Sequence, residues 1–310
     1  MTSEPTFAAP AEAQVLAWFD ELSNWGRWGD DDARGTLNLV DADARRRGLG
    51  AAITMTTVAC GRPIRRGFGT TQPTLRFVTR SGTEAPERGM GFADDWWGMG
   101  IHGFDLTHLD APSHLFWNGH MYNGRRSTEV TTNGGAGFGD VTAAEGIATR
   151  GVLLDIPRAR GVRQLDPGTA IGPGELDACV AAAGVEIATG DALIVRTGRD
   201  AAGAGAAQEL MGAGTPGLHA ACLPWLRDRG VALLVSDVAS DVMPSGYRGV
   251  SMPIHAIGIT AMGLWLLDNA WLEDLADACG AANRHAFLFV VSPLALVGGT
   301  GSPVNPLAVL

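Results

Sequence analysis

Residues 191–197 read DALIVRT, and with GVLLDI at 151–156 and VALLV at 231–235 they decide the fold. Each is a short apolar run bounded by glycine or polar residues, the pattern of a buried strand. Helical stretches separate them: 172–183, with Pro173 in its first turn, and 218–229. The alternation continues with 253–262 as a helix, 265–267 as a short strand ending at Asp268, 271–279 as a helix and 286–291 as a last core strand. Strands alternating with helices imply an α/β domain. Asp237, Asp241 and Asp268 fall at strand ends, where α/β folds place ligands.

Toward the N-terminus the pattern is less regular. Segments 15–22 and 41–49 read as helices, the second with Asp41 as N-cap, and 53–60 and 75–79 as strands. The stretch NWGRWGDDDARGTLN (24–38) reads as an ordered loop. Residues 1–50 are therefore taken as a helical, Trp-rich extension and 51–310 as the main domain.

Composition narrows the classes of function. A net charge of −10 over 310 residues, with no lysine, argues against nucleic acid as a partner. Cys60, Cys179, Cys222 and Cys279 lie far apart with no CxxC pair, which points to buried thiols in a reducing compartment. The N-terminus has no basic region followed by an apolar run, and no apolar run approaches a membrane span. The expectation is a soluble cytoplasmic protein acting on a small molecule, with no membrane partner.

HGFDLTHLDAPSH (102–114) holds three of the seven histidines and two aspartates. Imidazole with carboxylate is the usual ligand set of a catalytic divalent metal. His108 and Asp110, two apart, point to one side of an extended chain roughly 7 Å apart, close enough to converge on one ion. His102 and His114 share that parity but reach the same ion only if the chain bends. Gly103 permits a bend and Pro112 excludes a central strand, so the segment reads as a strand end running into a curled loop. His255 and Asp268 form a second candidate pair, one on a helix and the other ending the next strand. His120 lies in a turn-like stretch, and His219 and His285 read as capping or surface residues. Trp96, Trp97, Phe116 and Trp117 flank the motif, either as walls of an aromatic-sized pocket or as core. No GxSxG elbow is present, and GGTGSP (298–303) lacks the lysine of a phosphate loop.

THLDAPSH (107–114) resembles the signature of the cyclase-like metal-dependent hydrolases, a group that includes bacterial-type kynurenine formamidases and isatin hydrolases. Their motif is His-x-Gly-Thr-His-x-Asp-x-Pro-x-His. RGVLLDI (150–156), GDALIVRTG (190–198) and the PIHAIG…LLDNAWLEDLA segment (253–276) resemble further blocks in the family's order. TGSPVNPLAV (300–309) resembles the family's longer members. The resemblance implies a single α/β domain of the swivelling β/β/α type, a barrel-like mixed sheet flanked by helices. It implies His108 and Asp110 as metal ligands, His114 at the reacting centre, and His255 with Asp268 completing or duplicating the metal site. Two departures stand out. The motif's first histidine falls on Phe104 and its glycine on Leu106, with His102 the nearest replacement. Asp268 stands where the family often has glutamate. Phe104 joins Trp97, Phe116 and Trp117 as a candidate for substrate binding. The implied cofactor is Mn2+ or Zn2+, the implied assembly a homo-oligomer (dimer or tetramer), and the implied reaction hydrolysis of an amide, cyclic amide or imide, or lactone. The alternatives are a lyase or cyclase working through an enolate on the same metal, and a pseudo-enzyme that lost a ligand at Phe104.

Overall fold

The apolar runs pair into a nine-stranded mixed sheet. The computed structural model describes residues 7–64, 74–201 and 212–310. The strands of this sheet are β1 (Thr57–Ala59), β2 (His108–Asp110), β3 (Ile147–Asp155), β4 (Ala192–Arg196), β5 (Leu233–Ser236), β6 (Trp265–Asp268), β7 (Ala286–Val291), β8 (Gly301–Pro303) and β9 (Leu307–Val309). Their spatial order is β1-β9-β7-β3-β4-β5-β6-β2-β8. β3 to β6 run parallel, as strands joined by helical crossovers do. The remaining pairings are antiparallel. The sheet curls into half a barrel flanked by helices, the architecture the resemblance implies.

Period-two alternation divides the core between the two faces. Val152, Leu154, Leu193, Val195, Leu234 and Leu266 enter one cluster, closed by Leu176 and Cys179 of the helix Pro173–Ala183 and by Leu223 and Leu226 of the helix Cys222–Asp228. Leu153, Ile194, Leu233, Val235, Trp265 and Leu267 enter the other, closed by Leu275 and Cys279 of the helix Glu273–Ala282. The N-terminal segment packs on both: Val15, Trp18 and Leu22 on the first cluster, Leu37 and Val40 on the second. All four cysteines are buried and free. Among the described residues, no helix is long and apolar enough to cross a membrane.

Some sequence expectations shift. Of 53–60, Thr57–Ala59 alone is strand, because the C-terminal β9 offers it three pairing positions. The helix expected from 218 starts at Cys222, since Gly217–Leu218 pairs in parallel with Ala170–Ile171. The 253–262 helix is α over Pro253–Ile257 and widens to a π turn over Gly258–Met262. Pro112 does not keep the motif out of the sheet interior. β2 lies between β6 and β8, and its pairing ends at Asp110, so the missing amide of Pro112 falls in the 3-10 turn Pro112–His114. A hairpin of Thr74–Arg80 and Asp94–Met99 stands outside the main sheet with most of its side chains exposed.

Candidate metal centre

β2 and β6 pair so that Asp268 faces His108 and Leu266 faces Asp110. Residues two apart share a face, so His108, Asp110 and Asp268 lie on the same one, while Leu109 and Leu267 enter the core behind.

His255 arrives from the start of the helix Pro253–Ile257. The Asp241 carboxylate accepts the backbone N–H of Ile254 (2.7 Å) and of His255 (3.0 Å), fixing the helix end. It also accepts Nδ1–H of His255 at 2.6 Å. With that proton placed, Nε2 of His255 faces the carboxylates, 3.1 Å from Asp268 Oδ2 and 3.7 Å from Asp110 Oδ2. Ser240 Oγ donates to the other oxygen of Asp268 at 2.9 Å.

His102 reaches the cluster through the bend that Gly103 permits at φ 133°. Its Nδ1 lies 2.8 Å from Asp110 Oδ1 and its Nε2 3.0 Å from Thr300 Oγ1. Gly301, opposite Asp110 on β8, leaves the space: a Cβ there would come within 2.7 Å of His102 Cε1. His108 Nδ1 is 2.8 Å from the carbonyl of Leu106, an acceptor only, so that nitrogen carries the proton. Its Nε2 is then a free donor atom 3.5 Å from Asp110 Oδ1. His114 stacks on His102, centroids 3.6 Å apart, with Nε2 4.0 Å from Asp110 Oδ1.

Electrostatics set the protonation. Burial works against the charge of Asp110, but His114, His108 and the hydrogen-bonded His102 outweigh it and hold the carboxyl well below the usual carboxylate range. Burial lowers His114 to about 4 against the pull of Asp110, with His102, His255 and His108 adding to the lowering. For His255 burial is outweighed by the carboxylates of Asp268 and Asp241, which raise it well above the ordinary histidine range.

The chemistry of this donor set fits a divalent cation. His102, His108 and Asp110 form one group, and Asp110, His255 and Asp268 a second, each with ligand atoms within 4.8 Å of one another. Asp110, Asp241 and Asp268 are at most 3% exposed. Among the described residues their ion-pair partners are histidines, with no arginine. Buried carboxylates without a permanent cation are costly, and a metal ion relieves that cost.

The aromatic candidates are spread out. Trp97 lies half-exposed on the hairpin, and Phe116 is 40% exposed. Phe104 is half-buried, its carbonyl accepting from Arg199. Trp117 stacks flat on Phe19, centroids 4.2 Å apart, and lines a cleft of about 390 Å3 with Phe19 and Trp25. His120 lines the same cleft. His219 accepts from the backbone of Ala221 (3.1 Å) and is buried, and His285 is half-buried in a separate small pocket. Asp237 accepts from Thr197, Gly198 and Arg199 and ties a loop. The sequence marked Asp241 as a strand-end acid but not as the partner of His255. Thr300 and Gly301 carried no such mark, since only the pairing of β8 with β2 brings them to His102.

Comparison with known proteins bears on the family and the fold. The profile of the Cyclase family matches residues 71–241, more than half of the chain. No curated protein sequence matches. A solved structure described as a novel cyclase superposes with a TM-score of 0.86 at 25% identity, covering 94% of this chain and 99% of its own. An isatin hydrolase bound to the product analogue thioisatinate superposes at 0.57 with 20% identity, covering 87% of this chain and 99% of its own. Isatin hydrolase A from Ralstonia solanacearum gives 0.59 and 20% identity, covering 86% of this chain and 95% of its own. The two isatin hydrolases share the fold. With the profile spanning more than half of the chain, from before β2 to beyond β5, the chain belongs to the Cyclase family.

Proposed function

We propose that this protein is a metal-dependent hydrolase that opens an amide, a cyclic amide or imide, or a lactone of a small molecule. One observation carries the reading: carboxylates and imidazoles from the 102–110 stretch, the His255 helix and the end of β6, most of them buried, converge around Asp110. His102, His108, Asp110, His255 and Asp268 would hold the ion, and a His/Asp set accommodates Mn2+ or Zn2+. When bound, such an ion supplies Lewis acidity at a carbonyl oxygen and lowers the pKa of water.

The chain's own residues do the rest. His114, neutral at physiological pH, takes a proton from the attacking water at Nε2 and returns it to the leaving group. Asp241 and the Leu106 carbonyl fix the tautomers of His255 and His108, so that each presents Nε2. Stacking on His102 fixes the plane of His114. Trp97, Phe104, Phe116 and Trp117 are proposed to meet the substrate. Trp97 and Phe116 keep half or nearly half of their surface free for it. The isatin hydrolases of the same fold make cyclic amides the first substrates to try.

The test is product analysis in 18O-labelled water over a panel of cyclic amides, formamides and lactones. The hydrolase reading expects a labelled carboxylate that is lost in His108→Ala. A product without label, formed by elimination or ring closure, would instead assign the metal to enolate chemistry.

A further inference from the structure

Resting on the metal-hydrolase reading, we propose that Asn269 is a positioning residue that sets the tautomer and direction of His108. Asn269 follows Asp268 at the end of β6, is fully buried, and takes left-handed backbone at φ 57°. Every polar group it owns is engaged. Its N–H donates to Val238 (3.1 Å), and its carbonyl accepts from Arg62 Nε (2.9 Å) and Thr107 Oγ1 (2.7 Å). Its Oδ1 accepts from Arg199 at 2.8 Å. Its Nδ2 donates twice, to the carbonyls of Gly103 (2.6 Å) and Leu106 (3.1 Å).

The second of those acceptors is decisive. The Leu106 carbonyl also receives Nδ1–H of His108 at 2.8 Å. The side chain beside one proposed ligand, Asp268, therefore anchors the atom that orients another, His108. The Gly103 contact fixes the residue next to His102. Arg199 reinforces the clamp by donating to the Phe104 carbonyl at 2.8 Å while holding Asn269 Oδ1. The carbonyls of residues 103, 104 and 106, all between His102 and His108, are thus held by two side chains from the loops that follow β4 and β6. The clamped stretch is also where the family motif is broken, at Phe104 and Leu106.

Backbone demand alone does not select asparagine here. Glycine adopts positive φ with less strain, so what asparagine adds is the amide. Asn269→Gly therefore removes the clamp and leaves the backbone suited to its conformation. Partners that orient metal-binding histidines this way typically change metal affinity by about ten- to a hundredfold when removed.

The experiment pairs two readouts on native protein and Asn269→Gly: manganese and zinc titration by calorimetry, and histidine 15N spectra of the chelator-treated protein with the His108 signals assigned through His108→Ala. The proposal expects metal affinity about ten- to a hundredfold weaker and His108 no longer held with its proton on Nδ1. Unchanged affinity with the tautomer retained overturns it. Should the glycine variant fail to fold, Asn269→Asp keeps the acceptor for Arg199, sets an oxygen against both loop carbonyls, and carries the same two readouts. If native protein takes up neither metal, the hydrolase reading fails, and the tautomer comparison still decides the clamp.

Discussion

The imidazoles of His102 and His114 stack face to face, centroids 3.6 Å apart and planes 11° from parallel. Two imidazolium rings at that distance would repel, and burial already holds His114 down to about 4. Burial, with a smaller contribution from His102, therefore keeps His114 an acceptor at neutral pH.

Acid stability follows from that burial. The unfolded chain protonates this histidine near 6.5 and the folded protein near 4. Above 6.5 both forms are neutral and the difference contributes nothing. As pH falls from 6.5 to 4 the unfolded state takes the proton first, and the fold loses stability. His255, raised rather than lowered, acts in the opposite sense and is present in both native protein and a His114 variant. In chelator-treated protein, His114→Gln should lose less stability than native between pH 7 and pH 5, read as urea midpoints. Parallel pH profiles for the two would contradict the depressed pKa.

Gly301 is expected to tolerate no side chain. Its Cβ would meet both His102 Cε1 and the Leu109 carbonyl at 2.7 Å. Gly301→Ala should displace the His102 ring and cost about 1–3 kcal/mol, the range for overpacking a filled site. Urea unfolding with metal titration checks both effects. Thr300→Val, which removes only the hydroxyl near Nε2, should have the milder effect on both.

Asp241 joins two tasks, capping the His255 helix and fixing its ring. Asp241→Asn keeps acceptor oxygen but removes the charge. At least one of the N–H groups that Asp241 accepts then meets an amide NH2, so we expect metal affinity to fall about tenfold or more and the melting temperature to drop as well. Native affinity in this variant would reduce Asp241 to a helix cap.

Much of the fold is legible along the chain because buried strands are written locally. GVLLDI, DALIVRT and VALLV are each apolar on both faces, and the structure sets them side by side as β3, β4 and β5. The short elements were harder. Thr57–Ala59 is a strand only because β9, some 250 residues later, pairs with it. The two-residue spacing of His108 and Asp110 and the run from His255 to Asp268 pointed to residues that the structure brings together. The bend that carries His102 inward rests on contacts with Thr300, Asn269 and Arg199. None of these is near it in sequence, so no local pattern announced them.

The most direct test is elemental analysis of tag-free native protein beside His108→Ala. Stoichiometric manganese or zinc in the native protein, lost in the variant, is the predicted result. A native protein that contains neither metal and cannot be reconstituted with either would contradict the metal centre and the hydrolase built upon it.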